Sequence, residues 1–213
     1  MFTALTELGS QKGYDMAAME KAGLITRKEN GKIFDRFVNR ITFPFYSLSG
    51  LVIGFTGRSL EKDTQCKYLN SPETPLFHKG KTLFGIYQAR QEISKSDKCY
   101  LVEGQFDVLS FVQSGYPNTV CGSGTALTLD QVRIIKKFTR NVTAVYDGDA
   151  AGMKASVRNM DIMLAEGMNV RAVLLPEGED PDSFARKMGT EKLAKFLKKQ
   201  ETDFISFIYK AFE

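Results

Sequence analysis

The 213-residue chain has 43% hydrophobic and 25% charged residues, ordinary globular proportions that exclude a disordered or low-complexity chain. Its 29 basic and 25 acidic residues leave a net charge of +4, too mild to demand a polyanion partner but compatible with one if the two signs are segregated. Three scattered cysteines (Cys66, Cys99, Cys121) without a Cys-x-x-Cys pair, and the single histidine His78, point away from a disulfide framework or a zinc site and toward a reduced, cytoplasmic setting. The start, Met1-Phe2-Thr3-Ala4-Leu5, lacks a basic region followed by an apolar core, and no window holds the roughly 18 apolar residues of a membrane span. One medium domain with a smaller companion is expected at this length.

Residues 5–24 read as a helical segment followed by a short helix that ends at Gly23. Residues 40–46 and 51–56 have strand character, and the turn-prone Ser47-Leu48-Ser49-Gly50 joins them as a hairpin. Residues 61–81 are polar and hold Pro72 and Pro75, so 67–74 is expected to be an ordered loop. A helix near 87–94 leads into a regular alternation: strand 99–102, helix 106–113, strand 119–121, helix 129–138, strand 142–146, helix 150–166, strand 170–175. Strands separated by helices imply βαβ units and a parallel sheet. Thr128 with Gln131 predicts a capping box, and Gly167 a helix C-terminus. From 190 to 212, Leu193, Phe196, Leu197, Phe204, Ile205, Phe207 and Ile208 recur at helical spacing. This pattern reaches the last residues without a cap, so continuation past residue 213 is expected. The resulting division is a small α+β subdomain over 1–96, an α/β domain with a parallel sheet flanked by helices over 97–185, and the start of a helical tail over 186–213.

An open parallel sheet delivers the C-terminal end of every strand to one edge. Glu103 closes the first strand of the alternation, Asp147 and Asp149 the third, and Asp180 and Asp182 follow the fourth. Five carboxylates are therefore expected in one crevice. In extended chain, residues i and i+2 point the same way, which lets Asp147 and Asp149 share an ion while Gly148 permits close backbone approach or an unusual turn. Two carboxylates at ~4 Å repel by about 4 kcal/mol at an effective dielectric near 20 unless a cation offsets them. Oxygen ligands without Cys or His favour Mg²⁺ or Mn²⁺ over zinc. Taken singly, each Asp suits a helix cap or turn equally well; the set, at three strand ends, favours the cation site. The glycine-rich Cys121-Gly122-Ser123-Gly124-Thr125-Ala126 has the form of either a phosphate-facing turn or a plain tight turn into a helix. It fits neither the dinucleotide fingerprint nor the P-loop.

Glu103-Gly104 followed by Asp107, then Asp147-Gly148-Asp149-Ala150-Ala151-Gly152, resembles the Toprim domain shared by primases, topoisomerases and some nucleases. The flanking strings narrow the resemblance. Arg36-Phe37-Val38-Asn39-Arg40-Ile41-Thr42-Phe43-Pro44, Gly54-Phe55-Thr56-Gly57-Arg58, Lys67-Tyr68-Leu69-Asn70-Ser71-Pro72-Glu73-Thr74 and Phe77-His78-Lys79-Gly80 are similar to the bacterial DnaG-type primase core. The likeness runs from about residue 34 to 182 and also takes in Gly124-Thr125-Ala126-Leu127-Thr128.

The resemblance implies a Toprim catalytic domain over 97–185 that makes short RNA primers on single-stranded DNA by metal-dependent nucleotidyl transfer. It implies metal-binding roles for Glu103, Asp147, Asp149, Asp180 and Asp182, with Glu103, Asp147 and Asp149 catalytic, and template or nucleotide contacts for Arg58, Lys67, Asn70 and Lys79. The implied partners are single-stranded DNA, ribonucleoside triphosphates and, through a domain not in this chain, the replicative helicase; no membrane is implied. The family's N-terminal zinc-binding domain is not in this chain either. A Toprim nuclease or topoisomerase, and a non-catalytic nucleic-acid-binding fragment, are the alternatives on the residues alone.

Overall fold

The computed structural model describes residues 2–212 apart from Lys62, Asp63, Gln65, Thr125 and Asp149, and leaves the side chains of 150–156 and 210–212 undescribed. Two compact units form, Met1–Lys79 and Gly80–Glu213.

The first unit contains α1 (Ala4–Gln11), α2 (Met16–Lys21), β1 (Ile25–Arg27), β2 (Ile33–Asp35), β3 (Arg40–Tyr46), β4 (Val52–Ser59) and β5 (Tyr68–Asn70). The free amides at the start of α1 are satisfied from a distance: the Asp35 carboxylate accepts from the Leu5 amide at 2.7 Å and the Thr6 amide at 2.9 Å. Asp15 caps α2 by accepting from the amides of Ala17 and Ala18. The expected hairpin is β3 with β4, antiparallel with a register shift at Phe45/Tyr46. Pro44 is tolerated because β3 is an edge of the three-stranded sheet β3-β4-β5. Phe45 and Phe77, both 0% exposed, meet at 4.9 Å in the core.

Two departures from the sequence expectation lie here. The β1–β2 hairpin was not anticipated, and residues 68–70 form a strand on β4 where a loop was expected. The prolines that argued for a loop sit beyond the strand. Arg36 donates to the Asn70 carbonyl at 2.8 Å, and Arg40 donates to the carbonyls of Cys66 at 2.8 Å and Gly57 at 3.0 Å. The short strand is thus held by side chains some thirty residues away.

The second unit contains α3 (Ile86–Ser96), β6 (Cys99–Val102), α4 (Gln105–Gln113), β7 (Thr119–Cys121), α5 (Leu129–Lys136), β8 (Asn141–Tyr146), α6 (Ala150–Ala165), β9 (Asn169–Leu174), α7 (Pro181–Gln200), β10 (Thr202–Asp203) and α8 (Phe204–Phe212). Sheet order is β10-β9-β8-β6-β7; β6 to β9 are mutually parallel and β10 adds antiparallel to β9. Every residue of β6 and β7 is buried, as expected for strands covered on both faces. The α/β class with a helix-flanked parallel sheet is the one expected from sequence. Thr128 and Gln131 form the predicted capping box, and Gly167 ends α6 at φ +71°.

The tail departs from expectation. Its first helix starts at Pro181, not near 190, with Asp180 as N-cap and proline in the first turn. Gly189, at φ 67° and ψ 170°, breaks the helix midway. Among the described residues no helix is long and apolar enough to cross a membrane.

Candidate active site at the carboxyl edge of the sheet

The chain leaves β6 toward β7 on one side and returns as β8 on the other, so a topological switch point falls between the carboxyl ends of β6 and β8, the position at which open α/β sheets bind ligands. Glu103 follows β6 and Asp147 follows β8. The Asp147 amide donates to Glu103 Oε1 at 3.5 Å. Glu103 is exposed, whereas Asp147 is half-buried with Oδ1 shut off from solvent.

Backbone stitching brings the loop after β9 to the same place. The Leu175 amide donates to the Tyr146 carbonyl at 3.2 Å, and the Gly148 amide to the Glu179 carbonyl at 3.4 Å. A Cβ on Gly148 would stand 2.3 Å from the Pro176 carbonyl oxygen and 2.6 Å from that of Leu175. Of the two sequence-level reasons for glycine here, close backbone approach is therefore the operative one, since Gly148 does not adopt positive φ.

Asp180 is exposed, and its Oδ1 accepts from the Ser183 amide at 2.7 Å to cap α7. Asp182 is turned toward α4: Oδ1 accepts from the Ser110 hydroxyl at 2.5 Å, and Oδ2 pairs with Arg186 at 2.9 Å. Asp149 lies outside the described residues. Glu103 and Asp147 are thus brought together, Asp180 stands at the neighbouring helix start, and Asp182 carries ties within the fold.

Asp107 joins these pieces. It is 8% exposed on the first turn of α4, accepting from the Gly104 amide at 2.8 Å and the Asp182 amide at 3.1 Å. Burial, with the charges of Asp147 and Asp180 added, pushes its carboxyl up to about 7 against the two amide bonds. Carboxylates from three loops therefore lie within electrostatic reach of one another. The third position of a helix following a glycine N-cap marks Asp107 as a capping acid, but its reach to α7 had no signal in the sequence.

A cavity of about 300 Å³ adjoins Glu103, bounded by the strand ends at Leu101, Val102 and Tyr146, by Leu127 after the glycine-rich turn, and by Arg158 and Asn159 of α6. Burial, and then the charge of Glu103, raise the Tyr146 hydroxyl, while a hydrogen bond with Asn159 opposes them. Tyr146 and Asn159 were both missed from sequence, where they read as strand and helix interior.

The donor chemistry fits a hard divalent cation: Glu103, Asp147 and Asp180 offer only carboxylate oxygen. Among the described residues no three acidic, His or Cys side chains yet enclose an ion-sized space. Of the cysteines, Cys99 and Cys121 are buried and Cys66 is exposed.

In the first unit Arg58 lies across from Tyr68 in register, its guanidinium 5.7 Å from the ring centre. Lys67 is exposed beside it, and Asn70 ends the same strand. The Lys79 amide donates to Glu73 Oε1 at 2.9 Å and His78 Nδ1 is 3.1 Å from Glu73 Oε2, so His78 orders its own loop.

Residues 2–90 match the family model of the DNA primase catalytic core, N-terminal domain, and residues 100–185 match a Toprim-like model. The chain is 40% identical to the DNA primase of Staphylococcus epidermidis over 204 residues, 95% of this chain and 34% of that protein. It spans about a third of the length of the curated relatives it matches. The Escherichia coli primase catalytic core superimposes with a TM-score of 0.89 at 34% identity, over 99% of this chain and 68% of that one. The chain belongs to the DnaG primase family. A DnaG primase catalytic domain bound to single-stranded DNA superimposes with the same TM-score, identity and coverage. The acidic edge described above belongs to the Toprim-like part of this DnaG core, and the Arg58–Tyr68 strand pair to the N-terminal catalytic-core part.

Proposed function

We propose that this chain is the template-reading and nucleotidyl-transfer portion of a primase, making short RNA primers on single-stranded DNA in the cytoplasm. The observation that carries it is the meeting of Glu103 and Asp147 at the sheet's switch point, with Asp180 at the helix beside it, in a chain of the DnaG family. The reaction is attack by a primer or initiating 3′-hydroxyl on the α-phosphate of an incoming ribonucleotide, with pyrophosphate leaving.

Glu103, Asp147 and Asp149 would hold Mg²⁺ or Mn²⁺, with Asp180 and Asp182 completing the set. When bound, such ions lower the pKa of an attacking hydroxyl and neutralise triphosphate charge. The chain's own contributions are distinct. Gly148 lets the acidic turn close against 175–176, and Asp107 fixes the start of α7 and so the place of Asp180. Asp182, as positioned, supports that set through Ser110 and Arg186.

Arg58, Lys67, Asn70 and Lys79, on the subdomain assigned to 1–96, would meet template and nucleotide. A planar guanidinium suits bidentate phosphate contact and the lysines supply point charges. The tail from 186 onward would begin a helical subdomain, and the helicase contact would lie in sequence outside this chain.

The test is incorporation of labelled ribonucleotides on single-stranded DNA with Mg²⁺ or Mn²⁺, for the parent, Asp147→Ala and Asp149→Ala. Template-dependent product that falls by about 10³-fold in both variants supports the assignment. Metal-dependent DNA cleavage in place of RNA product would overturn it.

A further inference from the structure

Tyr146 occupies a position that its aromatic bulk alone does not explain. It is the last residue of β8, directly before Asp147, and is 2% exposed. Its ring packs on Phe207 of α8 at 6.4 Å between centroids, and its carbonyl accepts from Leu175. Its hydroxyl is hydrogen-bonded with Asn159 and lies within electrostatic reach of Glu103, and both residues wall the cavity beside Glu103. One side chain therefore ends the strand that leads to Asp147, bonds to the helix that follows and stands beside the same cavity as the Glu103 carboxylate.

We propose that Tyr146 and Asn159 are a positioning pair that sets Asp147 and Glu103 in the geometry a shared divalent cation requires, resting on the cation site proposed above. The acidic turn hangs between β8 and α6, so its shape depends on how the helix sits on the strand. Asn159 comes nine residues after Ala150, which places it about 13 Å along the helix from the turn, where a tether controls tilt. A phenylalanine would fill the same core space against Phe207. A buried hydroxyl needs a polar partner, and placing that partner on α6 makes the contact directional. Groups behind the ligands set ligand orientation in this way, and their loss commonly lowers metal affinity 10- to 100-fold.

The experiment uses the full chain, freed of metal, with Mn²⁺ binding followed by electron paramagnetic resonance beside melting curves and primer synthesis. Tyr146→Phe keeps the ring on Phe207, so its melting temperature should stay near the parent's while Mn²⁺ affinity falls by about 10-fold. Asn159→Leu should lower Mn²⁺ affinity as far, with a lower melting temperature because the buried Tyr146 hydroxyl loses that partner, and the double variant should bind Mn²⁺ no worse than either single, because both remove one contact. The metal concentration for half-maximal primer synthesis should rise in step, with the rate at saturating metal retained. Phe207→Leu is the control for general loosening: it should lower the melting temperature and leave Mn²⁺ affinity at the parent value. Parent-like Mn²⁺ affinity in Tyr146→Phe and Asn159→Leu would overturn the pair alone. So would Mn²⁺ affinity that falls in Phe207→Leu as far as in Tyr146→Phe. A parent chain that binds no Mn²⁺ would overturn the pair together with the cation site beneath it.

Discussion

At the amino edge of the parallel sheet, Glu201 lies 2.5 Å from Lys98 and accepts from the Thr143 hydroxyl, while Asp97 accepts from Thr139 at 2.7 Å and Asn141 at 2.9 Å. At the carboxyl edge, Asp107 feels Asp147 and Asp180, and Glu103 faces Asp147. One end of the sheet carries its own counter-charges and contributes to stability. The other, although Asp182 pairs with Arg186 and Glu179 with Lys187, also brings like charges together at a switch point, a cost that a cation would lower. The same strands build both ends, so the difference lies in the loops: Lys98 and Glu201 were placed to meet, whereas Glu103, Asp107, Asp147 and Asp180 come from three connections that converge.

The two edges differ in how little they tolerate change. Gly148→Ala forces backbone apart at the acidic turn, and a loss of about 3 kcal/mol is expected, a fall of roughly 6 to 12 °C in Tm. Gly167→Ala, at the turn leading into β9 from the amino edge, meets nothing within 4 Å and bears only its φ of +71°. It should cost about 1 kcal/mol. Thermal melts of the two variants side by side test the contrast; equal losses would break it.

Much of this was legible in advance. The βαβ alternation marked the parallel sheet, and the strand ends carrying Glu103 and Asp147 marked the edge at which the structure brings those two residues together. Asp180 and Pro181 were legible too: a helix cap is one reading of each Asp, but the apolar pattern marks a helix only from residue 190, so the N-cap and first-turn proline of the earlier start carry no signal of which helix they open. β5 and β10 are three and two residues long, too short for any periodicity, and are fixed by partners distant in sequence. Which carboxylate turns inward was equally unreadable. Asp182 faces Ser110 because α7 packs on α4, a tertiary fact with no local trace.

Titration should expose the two edges with opposite signs. Burial opposes ionisation of Glu201, but Lys98 and Thr143 outweigh it and hold its carboxyl below the ordinary value. Its contribution is present above the unfolded value near 4.5 and is lost as pH falls through the lower folded value. Asp107 is raised from 3.8 to about 7, so its contribution is full below 3.8 and is lost as pH rises through 7. In melts across pH 3 to 8 with chelator present, Glu201→Gln should flatten the acid limb, by about 1 kcal/mol. Asp107→Asn should flatten the decline between about pH 4 and 7, by about 2 kcal/mol. Slopes of the same sign would remove the distinction.

The most direct measurement of the central claim, that the carboxyl edge holds like charge relieved by a cation, is the melting temperature of the parent and Asp147→Asn with chelator and then with Mg²⁺. The parent should gain about 1 to 3 kcal/mol at 10 to 100 times the dissociation constant. Asp147→Asn should start about 1 kcal/mol above the metal-free parent and gain little from Mg²⁺. A variant less stable than the metal-free parent, together with a parent indifferent to Mg²⁺, would contradict the account.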